Sequence, residues 1–242
     1  MTNEWATYTI RLPEESAGHI QFGGQARRWA REAIDHLFTP EEVKQRFGAL
    51  FGWDLKGAPG IRFIPAKSAI RLLAVGTDAV DHLRMQGWTL RRALAEHLGQ
   101  ALPEDWKSGP AEIRERDKLQ PFVIPKLLIE AGNGGGPGRA AFIQRVHAGT
   151  VEAAEIERVI EKRVRQGLIR HADFYGLDLD EDMVIKVASR DTARMITPKP
   201  HVSAAAVTNV RVDLPVYLKG YWAAGKFLSH GYGLIKPDRD RQ

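Results

Sequence analysis

The chain has no cysteine among its 242 residues. That absence excludes disulfides, thiolate zinc sites and cysteine nucleophiles, and it suits a reducing compartment. Long apolar runs are missing too. No stretch approaches the ~20 residues a membrane span needs, and the opening MTNEWATYTI lacks a basic-then-apolar leader pattern. The expectation is a soluble, cytoplasmic protein with no membrane partner. GxxxxGK[ST], HExxH and GxSxG do not occur, so P-loop, zincin and serine-hydrolase chemistries have no motif to rest on. Asp178, Asp180 and Asp182 begin like a calcium loop, but Met183 and Ser189 stand where that loop needs Gly and Glu. They read as a solvated turn, and neither metal nor cofactor is expected.

What the chain does have is 43% hydrophobic residues, enough for an ordinary core. Its 35 Lys and Arg against 30 Asp and Glu leave a net charge of +5 and a pI near 9.5. That balance favours polyanionic partners.

Along the chain, residues 5–12 alternate Ala6, Tyr8, Ile10 and Leu12 against Thr7, Thr9 and Arg11, the period of a half-buried strand. Residues 25–38 place Ala26, Trp29, Ala30, Ala33, Ile34 and Leu37 at helical spacing. A second helix begins at Thr39, which can form a capping box with Glu42, and Pro40 suits its first turn. Residues 59–76 read as two short strands around 65–68. The arginine-dense segment 79–118, with breaks near Pro103 and Pro110, reads as broken helix inserted into the fold.

AGNGGGPGR at 131–139 reads as a connector, because no helix-opening dinucleotide fingerprint accompanies its glycines. It separates domains at 1–130 and 139–242. Beyond it the pattern predicts a strand at 140–147 and a helix that Thr150 caps, running to about 167. Strands follow at 183–189, 192–197 and 207–214, then a short helix opened by Pro215 and a last strand at 233–237.

Three groups of residues suggest chemistry. On the wet face of the first long helix, Arg27 and Arg31 lie one turn apart, a spacing that suits bidentate phosphate binding. Arg28 and His36 flank them, and i,i+4 pairs with Glu32 and Asp35 give that face an equally ordinary salt-bridged reading. Arg84, Arg91 and Arg92, with Arg114, Arg116 and Lys118 further on, are interleaved with Trp88 and Trp106, which suits a surface that tracks a backbone and stacks bases. The helix dipole explains part of the basic bias at the end of the 150–170 helix. Finally, GKFLSHGYGLIKP at 225–237 sets Lys226, Ser229, His230 and Tyr232 among three glycines, as in an anion cradle or a tight turn.

The ending Ser229-His230-Gly231-Tyr232-Gly233-Leu234-Ile235 resembles the glycine-rich loop of the repeat-associated RNA-binding superfamily, in particular the CRISPR RNA processing endoribonucleases. The specific match spans 207–237. Ala223-Ala224-Gly225 departs from the family's usual glycine-x-glycine opening, and the expected helical insertion is similar to that of type IV enzymes. The resemblance implies an α+β fold of two ferredoxin-like (RRM-like) domains carrying an arginine-rich helical insertion. It implies metal-independent cleavage of CRISPR repeat RNA by the ribose 2′-hydroxyl, with the product retained and other CRISPR effector subunits as partners. The catalytic roles it implies fall to Arg27, Arg31 and His36, with His19 in reserve, and RNA contacts to Arg28, Arg84, Arg91, Arg92, Lys226, Ser229, His230 and Tyr232. Two alternatives stay open: a non-catalytic crRNA-binding subunit of an effector complex, and a basic ferredoxin-like module with no RNA role.

Overall fold

The computed structural model describes residues 3–17, 23–51, 60–64, 66, 68–131, 136–199, 201–225 and 232–241. The described residues divide into two compact units, one within 3–111 together with 174–176, the other within 112–173, 177–225 and 232–241. The division falls between Ala111 and Glu112 rather than in the glycine-rich segment. The reason is that a strand starting at Glu112 runs to Ala131 and pairs along its length within the second unit.

The first unit comprises β1 (Glu4–Arg11), α1 (Glu14–Ala17), α2 (Gly23–Leu37), α3 (Pro40–Phe51), β2 (Ile61–Ile64), β3 (Ala69–Val75), α4 (Thr77–Leu98) and β4 (Glu104–Pro110). Its antiparallel sheet has the order β2-β3-β1-β4, the ferredoxin-like plan. Register places Ala6, Tyr8 and Ile10 opposite Ala74, Leu72 and Ile70, and all six are buried. Alternation on β1 therefore does pack one face into the core. At Gly87 of α4 a Cβ would lie 3.0 Å from the Tyr8 ring, so the bare backbone there lets the helix sit on the aromatic.

Segment 79–118 differs from the expectation of an inserted, broken helix. Its first part is α4, the second helix of the ferredoxin-like plan, with Val80, Leu83, Leu90 and Leu94 fully buried. The helix stops at Gly99 in the left-handed conformation, where the Gln100 N–H bonds the Ala95 carbonyl. The remainder is strand. Pro103 and Pro110 bracket β4, which lies at the sheet edge where proline is tolerated.

The second unit comprises β5 (Glu112–Ala131), α5 (Gly136–Ala148), α6 (Ala153–Tyr175, apart from its last two residues), β6 (Lys186–Ser189), β7 (Arg194–Lys199), β8 (Val202–Lys219), β9 (Trp222–Ala223) and β10 (Leu234–Pro237). The sheet order is β6-β8-β5-β10-β9, with β7 also pairing β8. With β6 and β7 sharing one position, this repeats the order of the first sheet. Among the described residues no helix stands between β8 and β10.

Three local readings are corrected. Residues 140–147 are helical, burying Phe142, Ile143 and Val146 at three-and-four spacing. Thr150 closes that helix, donating its hydroxyl to the Arg145 carbonyl at 3.3 Å, and α6 starts only at Ala153. Pro215 opens no helix. It lies inside β8 opposite an irregularity, since Glu115 pairs Val216 and Gln120 pairs Leu214, and a residue without an N–H loses nothing there.

Two arginines of α6 have structural partners. Arg163 donates to the Ile129 carbonyl at 2.7 Å and to Glu130 at 2.6 Å, and Arg165 donates to the Met183 carbonyl at 3.1 Å. His171 is buried, its Nδ1 2.9 Å from the Gly167 carbonyl. Among the described residues no helix is long and apolar enough to cross a membrane.

Candidate functional site

The α2–α3 hairpin is built by the capping box. Glu42 accepts from the Thr39 N–H and hydroxyl, both at 2.9 Å, which holds its carboxyl below the usual range. Phe38 and Phe47 close the corner with ring centres 5.4 Å apart. Because α2 buries Ala26, Ala30, Ala33 and Ile34, its polar residues emerge on two flanks. Arg27 and Arg31 share the flank that meets the end of α3. There Arg27 donates to the Phe51 carbonyl, and the Arg31 guanidinium lies 5.7 Å from the Phe51 ring. Asp35 orients Arg31, both carboxylate oxygens lying 2.5 Å from its Nε. Partial burial, then the charge of Arg31, push the Arg27 pKa below the ordinary arginine value.

His36 lies five residues beyond Arg31, about 140° round the helix at 100° per residue. It faces α4, with its ring 6.0 Å from that of His97. The structure therefore brings Arg27 and Arg31 together and sets His36 apart from them. Arg28 is exposed and makes no ion pair among the described residues.

The arginines of α4 are engaged within their own unit. Arg84 donates to Asp81 at 3.0 Å and Glu4 at 3.3 Å, and lies 5.8 Å from the Trp106 ring. Arg92 donates to Glu96 at 3.0 Å. Arg91 donates to the Leu102 carbonyl at 3.1 Å and approaches Glu104 at 3.5 Å, while Glu104 also accepts from the Tyr8 hydroxyl. This Tyr8–Glu104–Arg91 network escaped the sequence reading, because Tyr8 looked like one more apolar position of an alternating strand. Trp88, at 56% exposure, and Met85 stand on the outer face of α4.

The glycine-rich stretch joins two strands, not a helix to a strand. Trp222 and Ala223 pair with Ile235 and Leu234. At the base of the loop the Ala224 N–H bonds the Gly233 carbonyl at 2.8 Å, and the Gly233 N–H bonds the Lys126 carbonyl at 2.6 Å. Gly225 has φ +79°, and a Cβ there would lie 2.7 Å from the Leu128 carbonyl oxygen, so both backbone and space require glycine. Tyr232 packs on Leu128, Ala131, Ala204 and Ala206, and partial burial raises its pKa. Lys226, Ser229, His230 and His19 lie outside the described residues.

Two ferredoxin-like units in one chain are also the fold of solved CRISPR RNA endonucleases. Csf5, the Cas6 crRNA endonuclease of a type IV CRISPR-Cas system, superposes with a TM-score of 0.58 at 18% identity, over 98% of this chain and 100% of that one. A crystal structure of Cas6b gives 0.58 at 10% identity, covering 98% and 100%. Another, of the CRISPR RNA processing endoribonuclease Cas6b, gives 0.55 at 9%, covering 97% and 99%. Identities this low speak to the fold alone. The sequence model of the type IV CRISPR-associated endonuclease Csf5 matches residues 39–240, and the chain belongs to that family. No curated protein sequence matches it. The match includes the glycine-rich stretch and begins just after α2.

Proposed function

We propose that the protein is the endoribonuclease that cuts CRISPR repeat RNA at its stem-loop, without a metal ion, and holds the product. The ribose 2′-hydroxyl attacks the adjacent phosphorus, the 2′-oxygen bond forms and the bond to the 5′-oxygen breaks. A cyclic phosphate and a free 5′-hydroxyl result, one proton leaving the 2′-oxygen and one reaching the 5′-oxygen. Family membership supports the substrate class. The observation that carries the site is the Arg27–Arg31 pair: two guanidiniums on one flank of α2, both against Phe51, with partial burial and then the charge of Arg31 weighing against the Arg27 charge, which a bound anion relieves. In this reading they stabilise the negative charge that gathers on the phosphate. Arg28, Arg84, Arg92, Lys226, Ser229, His230 and Tyr232 contact the RNA, and Arg91 acts by fixing Glu104. Other effector subunits then assemble with the protein on the bound crRNA.

Removing one such donor costs on the order of 10²-fold in rate. Single-turnover cleavage of a type IV repeat hairpin is therefore expected to slow about that much in Arg27→Ala and in Arg31→Ala, with far-UV circular dichroism unchanged. His36→Ala, on the other flank, is expected to stay within about threefold of wild type, and the same assay on His19→Ala and His230→Ala locates the proton-transfer group. Equal losses in His36→Ala and Arg31→Ala would contradict the arrangement. Tight binding without cutting would make the chain a crRNA-binding subunit instead.

A further inference from the structure

The start of β5 and the end of β8 form a two-stranded ribbon whose faces differ in kind. On one face register sets Ile113 opposite Leu218 and Glu115 opposite Val216; Val216 and Leu218 are buried, Ile113 is half-buried and Glu115 is exposed. On the other, register places Glu112 opposite Lys219 and Arg114 opposite Tyr217. Glu112 lies between two cations, accepting from Arg114 at 2.5 Å and from Lys219 at 2.7 Å, so both are held on that face. Next comes the irregularity. Residues 116–119 stand against Pro215 alone, and all four are exposed. Bulges of this kind re-aim side chains, and they are over-represented beside functional sites. Here the bulge sets the Arg116 guanidinium 5.7 Å from the Tyr217 ring, which is 39% exposed. Arg116 and Lys118 make no ion pair among the described residues.

An exposed aromatic ring flanked by cations at two-residue intervals along an extended strand is what an unpaired nucleotide chain needs: a plane for one base and charges for its phosphates. A duplex keeps its bases stacked on one another and has none to place on Tyr217. An acidic peptide would use the cations and leave the ring idle. We propose that this face binds single-stranded RNA, with one base on Tyr217 and phosphates on Arg114, Arg116 and Lys219. The inference rests on the chain being an RNA-handling protein, and it uses none of the residues placed at the cleavage step.

The test is fluorescence anisotropy of the full-length protein with a labelled oligouridine of twelve nucleotides. In Tyr217→Ala, affinity is expected to fall about tenfold, within the range for one stacked base, and Tyr217→Phe is expected to restore it. In Arg116→Ala, binding should weaken and the log–log salt dependence should become shallower by about 0.7. Thermal melts of each variant within about two degrees of wild type exclude a folding defect. Wild-type affinity in both Tyr217→Ala and Arg116→Ala, or no oligouridine binding at 50 mM salt (about a 14 Å Debye length), would overturn the proposal. Hairpin cleavage measured on the same preparations separates the two claims. Cutting with Tyr217-independent oligouridine binding sinks only the single-stranded RNA face, and Tyr217-dependent binding without cutting sinks only the proposed activity.

Discussion

Tyr8 donates its hydroxyl to Glu104 beneath α4, and burial, followed by that bond and the carboxylate charge, drives its pKa far above the ordinary tyrosine value. A group whose folded pKa is raised stabilises the fold fully below its unfolded value and loses that contribution as pH rises toward the folded one. Wild type should therefore lose stability above about pH 10, and Tyr8→Phe should lose less over the same window. Urea midpoints from pH 8 to 11 check this, and parallel profiles would contradict it. At the acid end the sign reverses. Glu42, bonded chiefly by the Thr39 N–H, and Glu155, bonded by Arg145, are held below the carboxylate range. Their contributions are present above the unfolded pKa and vanish as pH falls through the lowered values, so urea midpoints should drop below about pH 4.5. The Thr39–Glu42 box follows from spacing alone, whereas the burial of Tyr8 against Gly87 depends on where α4 crosses the sheet.

At the scale of elements, Gly167 of α6 lies against β9. In an open helix Gly→Ala would gain about 0.5–1 kcal/mol. Here the added Cβ would stand 2.5 Å from the Ala224 Cα and 2.6 Å from the Ala223 carbonyl oxygen, both backbone atoms, and overpacking costs about 1–3 kcal/mol. The net expectation for Gly167→Ala is a loss of about 1–2 kcal/mol, seen as a lowered urea midpoint; an unchanged or raised midpoint would show that β9 yields. Strand β1, helices α2 and α3 and the β2–β3 hairpin were legible because period, cap and turn signals agree there. Residues 104–110 were not, because an edge strand with one face in solvent carries charges that look helical, and its pairing with β1 is non-local. Residues 140–147 were missed because an apolar run that short has no decisive period. Pro215 misled because its bulge is visible only once β5 and β8 are paired.

For the whole molecule, the two ferredoxin-like units and the family were legible from one loop, Ser229 to Ile235, together with the order of elements. The division between the units was not, because β5 carries the chain across the point where composition stays polar and reaches the glycine-rich segment only at its far end. Arg27 and Arg31 were readable as a pair from their i,i+4 spacing, but the separation of His36 required knowing that α3 and α4 lie on opposite flanks of α2. The proposed activity is cleavage of repeat RNA through the RNA's own 2′-hydroxyl with charge stabilisation by arginine. The most direct measurement is cleavage of a type IV repeat hairpin in excess EDTA, with end groups analysed by mass spectrometry and a parallel substrate carrying a single 2′-deoxyribose at the cut. The account expects a cyclic phosphate and a 5′-hydroxyl from the first and no cleavage of the second. A requirement for Mg²⁺, or cutting of the deoxy substrate, would contradict it.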